Sequence, residues 1–161
     1  MRIRLFLLIS ALAFFFDQLT KFLVQKTIPL YHTQPIIGDF FRITLLKNPG
    51  GIFGIRIFSD ISYYLMPLIG IVIVIIFALR TKNFFYLTAY ALILGGAIGN
   101  LWDRIRTGGV VDFIDIGIKN LRWYTFNLAD AYIVVGILMI LGAEIFGPKP
   151  RSETPNKPNS N

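Results

Sequence analysis

A chain of 161 residues that is 55% hydrophobic and 15% aromatic, with a mean hydropathy of +0.63, is too apolar for an ordinary soluble domain. It has no cysteine and one histidine, His32, which excludes thiol catalysis, disulfides and the usual Cys/His zinc sites, so neither a metal nor another cofactor is expected. The net charge of +7 does not point to nucleic acid, because the basic residues are spread over every hydrophilic segment without a basic stripe. Anionic membrane lipids account for them better.

In chain order, the first membrane span runs from about Ile3 to Val24 and is interrupted by Asp17, Gln18 and Lys21. Met1-Arg-Ile-Arg before Leu5-Phe6-Leu7-Leu8 imitates a secretory signal, and Ala11-Leu12-Ala13 imitates its cleavage site. Apolar residues continue straight into Phe14-Phe15-Phe16, so this segment reads as an uncleaved helix. The segment from Gln25 to Asp60 is not helix-like. Phe40-Phe41-Arg42-Ile43-Thr44-Leu45-Leu46 is aromatic and β-branched, and Asn48-Pro49-Gly50-Gly51 breaks it. It predicts a small β-sheet lying on the membrane surface. The second span, Ile61 to Leu79, and the third, Phe84 to Trp102, carry no charge and are long enough to cross ~30 Å of hydrocarbon. Only Arg80-Thr81-Lys82-Asn83 separates them, so they form a helical hairpin. The fourth span runs from about Trp123 to Phe146. Beyond it, residues 147–161 are Pro-rich and polar and read as a disordered tail.

The fold class expected is therefore an all-α membrane protein of four transmembrane helices, with a small extracytoplasmic sheet between helices 1 and 2, forming one domain over residues 1–146. Four spans put both termini on one side. Seven basic residues (Arg2, Arg4, Arg80, Lys82, Lys149, Arg151 and Lys157) share that side, against the other nine, so the raw count does not decide orientation. Charge near span ends weighs most, and the short N-terminus and hairpin loop are crowded with it, which places the termini in the cytoplasm.

Seven of the nine acidic residues then gather at the opposite, outward end. Carboxylates at membrane depth are expensive and mark functional sites. Asp112 and Asp130 flank one short segment, and a carboxyl pair can divide acid and base roles because two like charges at close range do not both ionise cheaply. Asn127, three positions before Asp130 on the same helical face, is placed to orient it. The bland alternative is a helix cap and a loop aspartate. Asp115, three after Asp112, is a second acidic candidate. Gly95 and Gly99, four apart, allow close helix approach. Asp103 and Arg104 read as an interfacial ion pair, and Asp17 with Lys21 as a helical salt bridge at i, i+4. His32 reads as a surface loop residue.

Taken together, Asp17-Gln-Leu-Thr-Lys21, Asn48-Pro-Gly-Gly-Ile-Phe-Gly, Gly99-Asn100-Leu-Trp-Asp103-Arg104, Val110-Val-Asp112-Phe and Phe126-Asn127-Leu-Ala-Asp130 resemble, in order, the strings of the lipoprotein signal peptidase (signal peptidase II) family of bacterial inner membranes. The resemblance covers residues 3 to about 146. It implies an aspartic endopeptidase with Asp112 and Asp130 as catalytic dyad. Asn48, Asn100, Arg104 and Asn127 would line the substrate or inhibitor site, with Asp17, Lys21 and Asp103 in support. The implied substrate is a diacylglyceryl-modified prolipoprotein cut before its lipidated Cys, and a globomycin-type inhibitor is expected to block the site. A monomer is the expected state. Gly51-Ile52 departs from the small pair the family often carries there. The Gln25–Asp60 sheet and an Arg104–Arg122 loop are expected to close over the substrate.

Three other readings compete. A proton-coupled transporter would need polar groups at mid-bilayer and often repeated halves, which the spans lack. A non-enzymatic lipid-binding factor would tolerate Asp130→Asn. A serine–lysine peptidase would need a lysine near Ser59 or Ser62, and none lies within a helical turn.

Overall fold

The computed structural model describes residues 2–49 and 60–147. The Gly51-Ile52 departure and the tail from residue 148 lie outside them. Four helices, α1 (Arg2–Thr27), α2 (Asp60–Arg80), α3 (Phe84–Thr107) and α4 (Leu128–Phe146), are each long and apolar enough to cross a membrane. Strands β1 (Thr33–Ile37) and β2 (Phe41–Asn48) lie between α1 and α2, and β3 (Val110–Ile118) and β4 (Leu121–Arg122) between α3 and α4.

The central helix is α3, which packs against α1, α2 and α4. Its small residues make that possible, since transmembrane helices associate by close packing rather than by expelling water. A Cβ on Gly95 would stand 2.6 Å from both Ala13 Cβ and the Ser10 carbonyl, and one on Gly99 would stand 2.6 Å from Asp17 Oδ2. On the other face, a Cβ on Gly96 would run into the Ala129 carbonyl of α4. Phe6, Ile71, Ala78, Leu87, Ala91 and Leu94 fill the bundle interior. Long apolar side chains such as Leu7, Phe15, Leu138 and Phe146 point outward, as a lipid-facing surface requires.

The sheet is antiparallel with order β1-β2-β3-β4. It is fastened to the helix ends by Val24 and Ile28 of the α1 end, Leu45 of β2, and Val111 and Phe113 of β3. Its central pair, β2–β3, sets Arg42 opposite Asp115 and Leu46 opposite Asp112.

Two boundaries differ from what the sequence predicts. The third span continues past Trp102 to Thr107 and ends at Gly108, whose φ of 70° and N–H to the Arg104 carbonyl make a left-handed cap. Arg104 is therefore on the helix, and residues 110–118, expected within a loop, form a sheet strand. The fourth helix begins at Leu128 rather than Trp123, because Asn127 caps it and the preceding segment is extended, with Phe126 bridged to Ile114.

Candidate active site

Where the sheet meets the helix ends, the extended segment before α4 bridges β3, Phe126 to Ile114, and brings the start of α4 to the strand. Asp112 lies on β3 and Asp130 is the third residue of α4. Between them stands Asn127, fully buried. Its side-chain oxygen accepts from the Asp130 N–H at 2.9 Å, and the Asp130 carboxyl accepts from the Asn127 N–H at 3.3 Å, closing a reciprocal capping box. The Asn127 amide nitrogen donates to Asp112 Oδ1 at 2.7 Å. One asparagine thus touches both carboxyl groups. The helix cap expected as the bland alternative is real geometry, and the cap is what aims Asp130 at the strand.

Two more amides complete the ring. Asn48, at the end of β2, donates to Asp112 Oδ2 at 3.2 Å, and Asn100 of α3 donates to Asp130 Oδ1 at 2.7 Å. Asp112 is only 4% exposed. Burial, and next the charge of Asp130, push its carboxyl up to about 7 against the donors Asn127 and Asn48. At neutral pH this carboxyl therefore sits at the edge of holding a proton.

Behind the pair lies a buried ionic cluster. Lys21 bridges Asp17 and Asp103, each at 2.8 Å, and the expected Asp17–Lys21 helical pair is present. The expected Asp103–Arg104 pair is not formed. Neighbours in sequence on a helix do not face each other, and Asp103 turns toward α1, where it takes Lys21, Gln18 at 3.1 Å and the Val111 N–H at 3.2 Å. Asp17 in turn accepts the Ala129 N–H at 2.9 Å, tying α1 to the first turn of α4. Arg104 lies over the Tyr63 ring at 4.9 Å, and its buried Nε has no hydrogen-bond partner among the described residues.

Asp115 belongs elsewhere. Arg42, Arg122 and Thr44 all donate to it, and although burial pushes its carboxyl up, these donors together hold it below the usual range. His32 is exposed in the turn before β1. Two residues of this region escape sequence reasoning: Gln18, which reaches Asp17, Asp103 and the Gly99 carbonyl, and Tyr63. Gln18 stands inside a family string and Tyr63 in an apolar span, so neither has a polar pattern of its own.

A family model described as Signal peptidase (SPase) II matches residues 9–146. A lipoprotein signal peptidase of Syntrophus aciditrophicus is 37% identical over 144 residues, 85% of this chain and 89% of that one. Another, from Borrelia turicatae, is 41% identical over 152 residues, covering 88% and 89%. A bacterial membrane enzyme structure determined by the in meso method at 2.3 Å superposes with a TM-score of 0.83 at 29% identity, over 96% of each chain.

Proposed function

The chain belongs to the signal peptidase II family, and from that premise we propose that it is an aspartic endopeptidase in which Asp112 and Asp130 activate a water. Lipoprotein signal peptidase is its activity, and it is a multi-pass protein of the bacterial inner membrane. The observation that carries the catalytic reading is Asn127, whose side-chain amide donates to the Asp112 carboxyl and whose backbone N–H donates to that of Asp130.

The pair holds one proton between its members. The ionised carboxyl takes a proton from water as the oxygen attacks the scissile carbonyl carbon, and the protonated one gives its proton to the carbonyl oxygen. As the resulting tetrahedral diol collapses, one of its hydroxyls returns a proton to the carboxyl that had protonated the carbonyl oxygen, the C–N bond breaks, and the leaving nitrogen takes a proton from the carboxyl that received it from water. Asn48 and Asn100 keep the two carboxyl groups facing a common space, and Arg104, whose Nε has no hydrogen-bond partner among the described residues, donates to a substrate carbonyl.

The substrate is a diacylglyceryl-modified prolipoprotein cut before its lipidated Cys. Its acyl chains stay among membrane lipids while the scissile bond reaches the headgroup level. A globomycin-type inhibitor occupies the same space. Both termini are cytoplasmic and the sheet faces outward, since the basic residues Arg2, Arg4, Arg80 and Lys82 lie at the end opposite the sheet. The chain works as a monomer, in one domain over residues 1–146.

The test is cleavage of a lipidated prolipoprotein by the purified protein in detergent, with the new N-terminus read by mass spectrometry. Asp112→Asn and Asp130→Asn should each abolish cleavage while remaining folded. Persisting activity in either would remove that residue from the chemistry.

A further inference from the structure

Among the described residues, the largest fully buried side chain is a lysine. Lys21 has three ammonium protons and three acceptors: Asp17 Oδ2 and Asp103 Oδ2 at 2.8 Å, and Asn100 Oδ1 at 3.2 Å. The two carboxylates already more than balance a buried cation. The third contact is different in kind, because Asn100 passes it on. The Asn100 oxygen accepts from Lys21 and, at 3.1 Å, from Asn127, while its amide nitrogen donates to Asp130 at 2.7 Å. With two donors on the oxygen, the amide has one orientation, and its N–H faces Asp130. A cation at the carbonyl end also polarises the amide and strengthens that donor.

We infer that Lys21 is a positioning residue of the reaction: acting through Asn100, its ammonium aims the donor that holds Asp130 and keeps the aspartate pair singly protonated. This rests on the dyad reading above. The charges that face Lys21 come from every element packed around it: Asp17 on its own helix, Asp103 on α3, Asp112 on β3 and Asp130 on α4, with Arg104 the second cation acting on Asp130. Among the described residues, these four carboxyl groups surround Lys21 and Arg104, while Lys26 and Arg106 line the cavity on the Lys21 side. Removing one cation makes ionisation of the pair harder, and both protons are then retained to higher pH.

A purely structural lysine, fastening α1 to α3, would leave the pH dependence alone. The test compares Asp103→Asn, which keeps the ammonium, with Lys21→Gln/Asp103→Asn, which removes one cation and one anion together. kcat/KM for cleavage of a lipidated prolipoprotein is measured against pH in detergent for both. The double variant's profile should lie about one unit higher than the single variant's, with kcat lowered more than KM is raised. Superposed profiles overturn the inference, whatever loss of rate the two proteins share. The pair Asp103→Leu and Lys21→Met/Asp103→Leu carries the same comparison if the first double variant does not fold, and the control is Lys21→Arg, which keeps the charge. Its profile should coincide with that of the wild type, and a displacement as large as one unit overturns the inference. Cleavage surviving in Asp112→Asn or Asp130→Asn would sink the dyad reading and this with it, whereas superposed profiles with both of those variants inactive sink only the role of Lys21.

Discussion

Asp112 and Asp115 lie three residues apart on one strand, and each is 4% exposed. An odd separation sends their side chains to opposite faces of β3, and there they meet opposite company. Asp115 receives Arg122 Nε at 2.6 Å, Arg42 Nη2 at 2.9 Å and Thr44 at 2.8 Å, and Asp39 joins both arginines to complete a small network. Asp112 has amides for hydrogen-bond partners and a second acid for a neighbour, with no ion-pair partner among the described residues. Their solvent exposure is equal, but Asp112 lies deeper among protein atoms, and the proton affinities part in opposite directions. A reactive carboxyl is made by burial that no neighbouring cation offsets.

Exchanging each acid for its amide tests that contrast most sharply. Asp112→Asn should lower kcat/KM for prolipoprotein cleavage by about a thousandfold or more, since it removes one half of an acid–base pair. Asp115→Asn should leave the rate of the folded protein near wild type and instead lower stability by about 2 kcal/mol, because two arginines lose charged acceptors. If Asp115→Asn kills cleavage at unchanged stability, the two faces of β3 have been assigned the wrong way round. A smaller effect is expected from Asn127→Ala. It frees both carboxyl groups at once and should cost about a hundredfold in kcat, together with about 1 kcal/mol from the lost α4 cap. A loss confined to stability, read from thermal unfolding in detergent, would reduce Asn127 to a cap alone.

Much of this contrast is legible in the amino-acid sequence. The four spans follow from apolar runs of membrane length, and the family strings mark Asp112, Asp130 and the asparagines. What the strings do not show is who meets whom. Asp103 and Arg104 are adjacent in sequence and look paired, yet helix geometry turns Asp103 toward Lys21, 82 positions earlier in the chain. The segment 110–118 looks like a loop because a strand pinned between β2 and the first helix has no clean alternation: Val110, Val111, Asp112 and Phe113 are all buried. Asn127 followed three residues on by Asp130, ahead of an apolar run, carries the spacing of a capping box. That spacing moves the helix start from Trp123 to Leu128.

The smallest expected effect is on stability against pH, and the two aspartates should pull it in opposite directions. Asp112 has a folded pKa of about 7, above its ordinary 3.8. Between those values the folded protein binds more protons than the unfolded chain, so stability falls as pH rises through this window and is level above it. Asp115 has a folded pKa below its ordinary value. Its contribution is fully present above 3.8 and is lost as pH falls through the depressed folded pKa. Thermal unfolding in detergent should therefore show a wild-type midpoint a few degrees lower at pH 8 than at pH 5. Asp112→Asn, permanently neutral, should flatten that slope and gain most over wild type at pH 8. Asp115→Asn should leave the slope between pH 5 and 8 intact and blunt the loss of stability below pH 4. If Asp112→Asn keeps the wild-type slope, the proton that the pair holds near neutral pH does not reside on Asp112, where burial and the neighbouring charge of Asp130 put it.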